Sequence, residues 1–223
     1  MVEKERLDRE TVALRVASEF KDGMIVNLGI GIPTMAVNFI PEGREIIFHT
    51  ENGCLGFGPI ADIEEADLDL INAGGQATTA QPGMSFFDHA DSFGMIRRGR
   101  IDLCVLGGMQ VSERGDLANW ITPERSVGNI GGGMDLAFCA KKLIVAMEHT
   151  TYDNQPKIVK ECSYPLTAPR CVDLIVTDIA VFEVAEGGLV LKEVAPKWTV
   201  SDVQALTEPK LIISQDLKEL EII

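Results

Sequence analysis

Val12, Val16 and Phe20 recur at i, i+4 and i+8, with Ala13 and Ala17 beside them. This stripe predicts a helix over 8–22, with Asp8 as its N-cap and Gly23 as its stop. The pattern then changes. The apolar run 24–28 reads as a short buried strand entering a glycine turn, and Pro33 suits the first turn of a helix over 33–40. Further apolar runs predict strands at 45–50, 69–72, 102–107, 143–148, 173–177, 179–184, 188–194 and 211–213. Helical patterns lie at 85–98 and at 199–206, the second opened by Thr199 and Asp202 in the spacing of a capping box. Strands alternating with helices predict an α/β fold, an open and mainly parallel sheet with helices on both faces. The strand-dense stretch 173–194 predicts an antiparallel hairpin turning at Glu186-Gly187-Gly188. No linker-like segment or internal repeat divides the chain, so a single domain over 1–223 is expected.

Glycine punctuates this pattern unevenly. It clusters in NLGIGIP, ENGCLGFG, INAGG, VLGGMQ and GNIGGGMD, each after an apolar run. The expectation is that each cluster sits at the carboxyl end of a strand, the edge where open α/β sheets bind ligands. Glycine there lets backbone N–H groups approach a ligand with no side chain between.

Composition narrows the partners. Lys and Arg number 20 against 34 Asp and Glu, a net charge of −14. Nucleic acids and anionic membranes are poor partners for such a surface. The five cysteines include no C-x-x-C pair, which fits reduced thiols in the cytoplasm better than disulfides or a zinc site. The N-terminal MVEKERLDRE has no apolar core of a signal peptide, and no apolar run is long enough to span a bilayer.

Several chemistries fail on spacing. GIGIPT at 29–34 breaks the dinucleotide fingerprint at Thr34, no G-x-x-x-x-G-K-[ST] loop occurs, and GMSFF around Ser85 breaks the nucleophile elbow. His49, His89 and His149 show no metal-ligand spacing and read as hydrogen-bonded structural histidines. Cys54 reads as a buried packing thiol, Arg97, Arg98 and Arg100 as a solvated helix C-terminus, and Trp120 as a core residue. Glu51 stands apart. It ends an apolar run before Asn52-Gly53, among glycines and hydrophobes, with no lysine or arginine nearby in sequence. It is either a solvated loop acid or, if covered, a desolvated nucleophile.

Six motifs in order along nearly the whole chain resemble the family I coenzyme A transferases of the 3-oxoacid type. They are VNLGIGIPT at 26–34, ENGCLGFGP at 51–59, DLINAGG at 69–75, SFGMIRRGR at 92–100, VLGGMQVSERGDLANW at 105–120 and GGGMDLA at 131–137. The likeness is to the B, or β, subunit. It implies that Glu51 attacks an acyl-CoA and carries CoA as a glutamyl thioester in a ping-pong transfer between an acyl-CoA and a small carboxylic acid. It also implies that the Gly132 N–H, flanked by Gly131 and Gly133, stabilises an oxyanion. Asn27, Gly29 and Gly31 would lie along the CoA arm. CoA is then a substrate, and no cofactor or metal is required. The implied partner is an A subunit, in an α2β2 assembly. Gly75 and Gly133 depart from the lysine and alanine frequent in the family, which implies a lost cationic contact and a looser loop. A hydrolase on the same scaffold and a non-enzymatic acyl-CoA or sugar-phosphate sensor are the alternatives.

Overall fold

A computed structural model describes residues 4–64, 66–123 and 127–221. The first three positions of the charged N-terminal stretch lie outside it.

Helix α1 (Arg9–Ala17) is capped by the Asp8 side chain, which accepts from the Thr11 N–H. It ends earlier than the periodicity predicts. At Glu19 and Phe20 the backbone tightens into i→i+3 bonds, which turns Phe20 into the core. Gly23, at φ +74°, is therefore the left-handed residue of a later turn rather than the helix stop. Strand β1 (Ile25–Leu28) leads to α2 (Ile32–Met35), with Pro33 in its first turn and a 3₁₀ turn over Ala36–Phe39. Next come β2 (Ile47–Thr50), β3 (Cys54–Leu55), β4 (Ser85–Phe86) and α3 (His89–Arg97). They are followed by β5 (Leu103–Leu106), β6 (Gln110–Ser112), β7 (Leu117–Ala118), α4 (Gly133–Cys139), β8 (Leu143–Met147) and β9 (Ile158–Val159). The chain closes with β10 (Leu174–Thr177), β11 (Ala180–Ala185), β12 (Gly188–Val194), α5 (Val200–Ala205) and β13 (Ile212–Glu219). Helix α5 carries the complete Thr199–Asp202 capping box.

Two predicted elements are corrected. Residues 69–72 form no strand, because Asp67 accepts from the Asp69 N–H and folds the segment into a turn, a local competition that short polar side chains often win. Only the single bridge Ile71–Ala77 remains. Helix α3 starts at His89 rather than near 85, because Asp88 caps it and Ser85–Phe86 pair with β3.

Ten strands form one sheet in the order β13-β12-β11-β10-β8-β5-β1-β2-β3-β4. Its centre, β10-β8-β5-β1-β2, is parallel. The β11–β12 hairpin is antiparallel and turns at Glu186-Gly187 as expected, whereas the antiparallel β3 and β4 at the other edge were not foreseen. Strands β7, β6 and β9 make a small second sheet. The central strands β5, β8 and β10 are buried at every position, as strands covered on both faces must be.

One face packs against α1 and α2 through Val12, Val16, Ile32, Phe48 and Ile144. The other packs against α3, α4 and α5 through Ile96, Leu136, Val203 and Phe182. Each fully buried side chain of this size contributes roughly 1.5–3 kcal/mol. No helix among the described residues is long and apolar enough to cross a membrane.

Candidate active site

Strand parity fixes the direction of Glu51. Phe48 points to the α1 face, so His49 and, two residues on, Glu51 belong to the face carrying α3 and α4. The strand ends there because Thr50 Oγ1 donates to Asn52 Oδ1 and the Gly53 N–H returns to the Thr50 carbonyl. Gly53 is obligatory. Its φ is +115°, and a Cβ would collide with the Phe87 carbonyl.

The half-buried Glu51 carboxylate meets two neighbours. Its Oε2 stands 3.5 Å from Asn27 Nδ2, at the outer limit of a hydrogen bond. On the other side, a Cβ built on Gly132 would lie 3.5 Å from Oε1 and 3.1 Å from Phe93 Cζ. Glycine therefore brings the backbone against the acid. The Gly133 N–H is occupied by the Ile130 carbonyl at 2.9 Å, while that of Gly132 donates to no acceptor among the described residues. Among those residues no cation pairs with Glu51; every ion pair uses another acid.

Below the acid the site is polar but uncharged. His49 is buried, and burial pulls its imidazole down to about 4, so the ring is neutral near pH 7. Cys104 lies beside Asn27 in the strand register; burial first, then the Glu51 charge, pushes its thiol well up. Burial also pushes Cys54 up to about 11, in keeping with a packing thiol.

A cavity of about 320 Å³ opens at this point. Glu51, Gly29, Gly107, Gly108, Gly131, Gly132 and Gly133 line it, together with Asn119 and Asn129. Three glycine clusters follow β1, β2 and β5 as expected. GNIGGGMD does not follow a strand; it opens α4 and reaches the same edge through a loop. INAGG sits in the 67–77 turn, with Gly74 within reach of Ile30.

Two residues expected along the CoA arm do not line this cavity. Asn27 is fully buried under Glu51 and does not line the cavity, because its strand position faces the packed interior. Gly31, at φ +91°, is exposed at the start of α2, outside the lining. Trp120 is half-buried rather than core, its indole N–H reaching the Leu166 carbonyl at 3.3 Å. Arg97 ends α3 as expected and pairs with Asp135 at 2.7 Å. The sequence alone does not point to Asn119. Its amide donates to the Gly107 carbonyl at 3.0 Å and accepts from Thr167 at 2.6 Å, which fixes it in the wall. No local signal in DLANW marks it, since pairing of β7 with β6 carries it there.

The departures at 75 and 133 have different settings. Gly75 has φ +77° in an open turn, so a side chain there would be strained. Gly133 meets only Thr167 at 3.7 Å and Asn119 at 3.9 Å, so an alanine fits. No group of three or more potential metal ligands occurs among the described residues.

The sequence model described as coenzyme A transferase matches residues 9–206. The chain is 47% identical to the acetate CoA-transferase subunit beta of Escherichia coli K12 over 94% of this chain and 95% of that protein. It is 48% identical to the mitochondrial succinyl-CoA:3-ketoacid coenzyme A transferase 2A of Mus musculus, covering 96% of this chain but 41% of that one. An acyl-CoA transferase from E. coli O157:H7 (YdiF), solved as a thioester complex with CoA, superposes with a TM-score of 0.75 at 23% identity, over 99% of this chain and 44% of that one.

Proposed function

The chain belongs to the coenzyme A transferase family, and we propose that it is the β subunit of an enzyme moving CoA between an acyl-CoA and a short-chain or 3-oxo carboxylic acid, with Glu51 as nucleophile. The observation that carries this reading is the unpaired Glu51 carboxylate, set against the Gly132 backbone at the mouth of a glycine-lined cavity. A nearby cation would lower its basicity and blunt it as a nucleophile.

In the proposed reaction a Glu51 oxygen attacks the thioester carbonyl and expels CoA thiolate, leaving an acyl-glutamyl anhydride. The thiolate then attacks the glutamyl carbonyl, releases the carboxylate and forms an enzyme–CoA thioester. A second carboxylate reverses both steps and leaves as its CoA ester. An anhydride keeps the acyl group activated, which a serine ester would not. The Gly132 N–H donates to the oxyanion of the acyl carbonyl; one such donor is worth on the order of 3 kcal/mol.

The glycine wall suits the close approach of a CoA arm at Gly29. CoA serves as a substrate, and the chemistry calls for no further cofactor. Glu51 is only half-buried in this chain, and the covalent intermediates need shelter from water. A partner α subunit, in an α2β2 assembly, would supply that cover. The β-subunit likeness of the bacterial relative supports such a partner. We read the chain as one domain, and its five free thiols suit a cytoplasmic setting.

The test is intact-protein mass measurement after mixing both subunits with acyl-CoA. A gain equal to CoA less one water, mapped to the Glu51 peptide and discharged by an acceptor acid, is expected. Absence of an adduct, or CoA release that ignores the acceptor, would overturn the reading in favour of a non-enzymatic or hydrolytic role.

A further inference from the structure

We infer that His49 is a positioning residue of the transfer: with Ser92 it holds an Asn27 amide N–H on Oε2 of Glu51, which leaves Oε1, the oxygen facing Gly132, to attack. The inference rests on Glu51 being the nucleophile.

The parallel register pairs Asn27 with His49, so the two side chains lie together on the α3 face. Asn27 Nδ2 is 3.1 Å from His49 Nδ1, 3.1 Å from the His49 carbonyl and 3.5 Å from Glu51 Oε2. All three are acceptor positions, and the two N–H groups of the amide are shared among them. A reversed amide would set its oxygen against a carbonyl and a carboxylate, so the orientation is forced. The consequence is visible on the other side of the amide. Asn27 Oδ1 is buried with no partner among the described residues, an unfavourable state for an acceptor that the fold tolerates while the N–H faces the acid.

The histidine is equally constrained. Nδ1 faces an N–H and must accept, so the proton sits on Nε2. Nε2 is 3.1 Å from Ser92 Oγ, whose hydroxyl donates to the Thr50 carbonyl at 3.4 Å. The Phe87 ring stacks on the imidazole at 6.0 Å and 17°. Donors and acceptors run one way, from Asn27 to His49 to Ser92 to the backbone of the strand that carries Glu51.

The two carboxylate oxygens then have separate fates. Oε1 forms the bond to the acyl carbon as CoA thiolate leaves. When the thiolate attacks Cδ, the electron pair moves onto Oε2, and collapse expels the carboxylate with Oε1 in it. Oε2 stays on the enzyme throughout, and the Asn27 N–H is the donor aimed at it. The Gly132 backbone serves the substrate carbonyl, and Asn27 serves the glutamyl carbonyl. A donor of this kind is preorganised only if its amide cannot turn, which is the task assigned to His49.

The test uses the reconstituted two-subunit enzyme, with active sites counted by the glutamyl–CoA mass adduct. His49→Leu is expected to lower kcat per counted site ~10–100-fold, somewhat less than removal of an oxyanion donor itself, with KM for acyl-CoA nearly unchanged. His49→Asn, which restores an acceptor near Nδ1, should recover most of the loss. Ser92→Ala should lose a smaller amount, and it decides the question if His49→Leu does not fold. Parental kcat per counted site in His49→Leu, or in Ser92→Ala where the first is insoluble, would overturn the inference. Glu51→Gln run alongside separates the failures. Transfer by that variant removes the nucleophile assignment, whereas an inert Glu51→Gln beside an unaffected His49→Leu removes only the role of His49.

Discussion

Strands β2 and β8 end on the same edge of the sheet with nearly the same letters, His49-Thr50-Glu51 and Glu148-His149-Thr150. Both histidines are buried and neutral. His149 is hydrogen-bonded to Thr177 at 3.1 Å and Thr207 at 3.0 Å, and burial pulls it down to about 3. The acids differ. Glu148 precedes its histidine by one residue and so points to the opposite face, where α1 packs and Arg9 binds it at 2.6 and 2.9 Å. Burial opposes its charge, but its hydrogen bonds, Arg9 and Lys157 prevail and hold the carboxyl below its usual value. Glu51 follows its histidine by two, shares its face, and meets an amide and a glycine loop. A shift of one residue in strand parity separates a paired structural acid from a free one.

Glu51→Gln in the two-subunit enzyme should reduce transfer by at least ~10⁴-fold, the scale on which nucleophile loss is felt. Glu148→Gln should leave turnover near that of the parent. Steady-state assays of the two side by side check the pair, and equal losses would erase the distinction. Next, Gly132→Ala sets a methyl 3.5 Å from Oε1 and 3.1 Å from Phe93. Its kcat should fall on the order of 100-fold, as for a displaced oxyanion donor, with thermal stability little changed.

Acid should then unfold the protein through both histidines. Each has a folded pKa below its unfolded value of 6.5, at about 4 for His49 and about 3 for His149. The unfolded chain therefore binds protons first. Their contribution to stability is complete above pH 6.5 and is lost as pH falls toward 4 and 3. Denaturant titrations at pH 7.5, 5.5 and 4.5 should show a steady decline, with His149→Gln flattening part of it.

Two small effects complete the series. Arg9→Ala should cost only about 0.5 kcal/mol, since Arg9 is 68% and Glu148 42% exposed. Gly133→Ala should raise stability by ~0.4–1 kcal/mol with activity retained, because the methyl fits and the unfolded chain loses freedom. Thermal melts read both.

Much of the fold is legible in the residue string. The Val12–Phe20 stripe, the Asp8 cap, the Thr199–Asp202 capping box and the buried runs of β5, β8 and β10 follow from local period and hydrogen-bonding chemistry. Misreadings fell where local signals compete, as in the Asp67 turn that displaced a strand at 69–72 and the Asp88 cap that delayed α3. The short strands β3, β6, β7 and β9 were missed because two or three residues carry no period. They form only because a partner strand supplies the hydrogen bonds.

The site divides the same way. The glycines, the odd position of Glu51 and the family likeness are properties of the residue string, for glycine marks close backbone approach and an acid in an apolar loop marks itself. Three things belong to the folded chain alone. One is that Gly132 and Glu51, some eighty residues apart, are neighbours. Another is that Asn27 lies under the acid and not along the cavity. The last is that His49 is joined to Asn27 and Ser92. Each depends on strand register and on the packing of α3 and α4 against the sheet. These contacts are long-range, and their geometry exists only once both cores have closed.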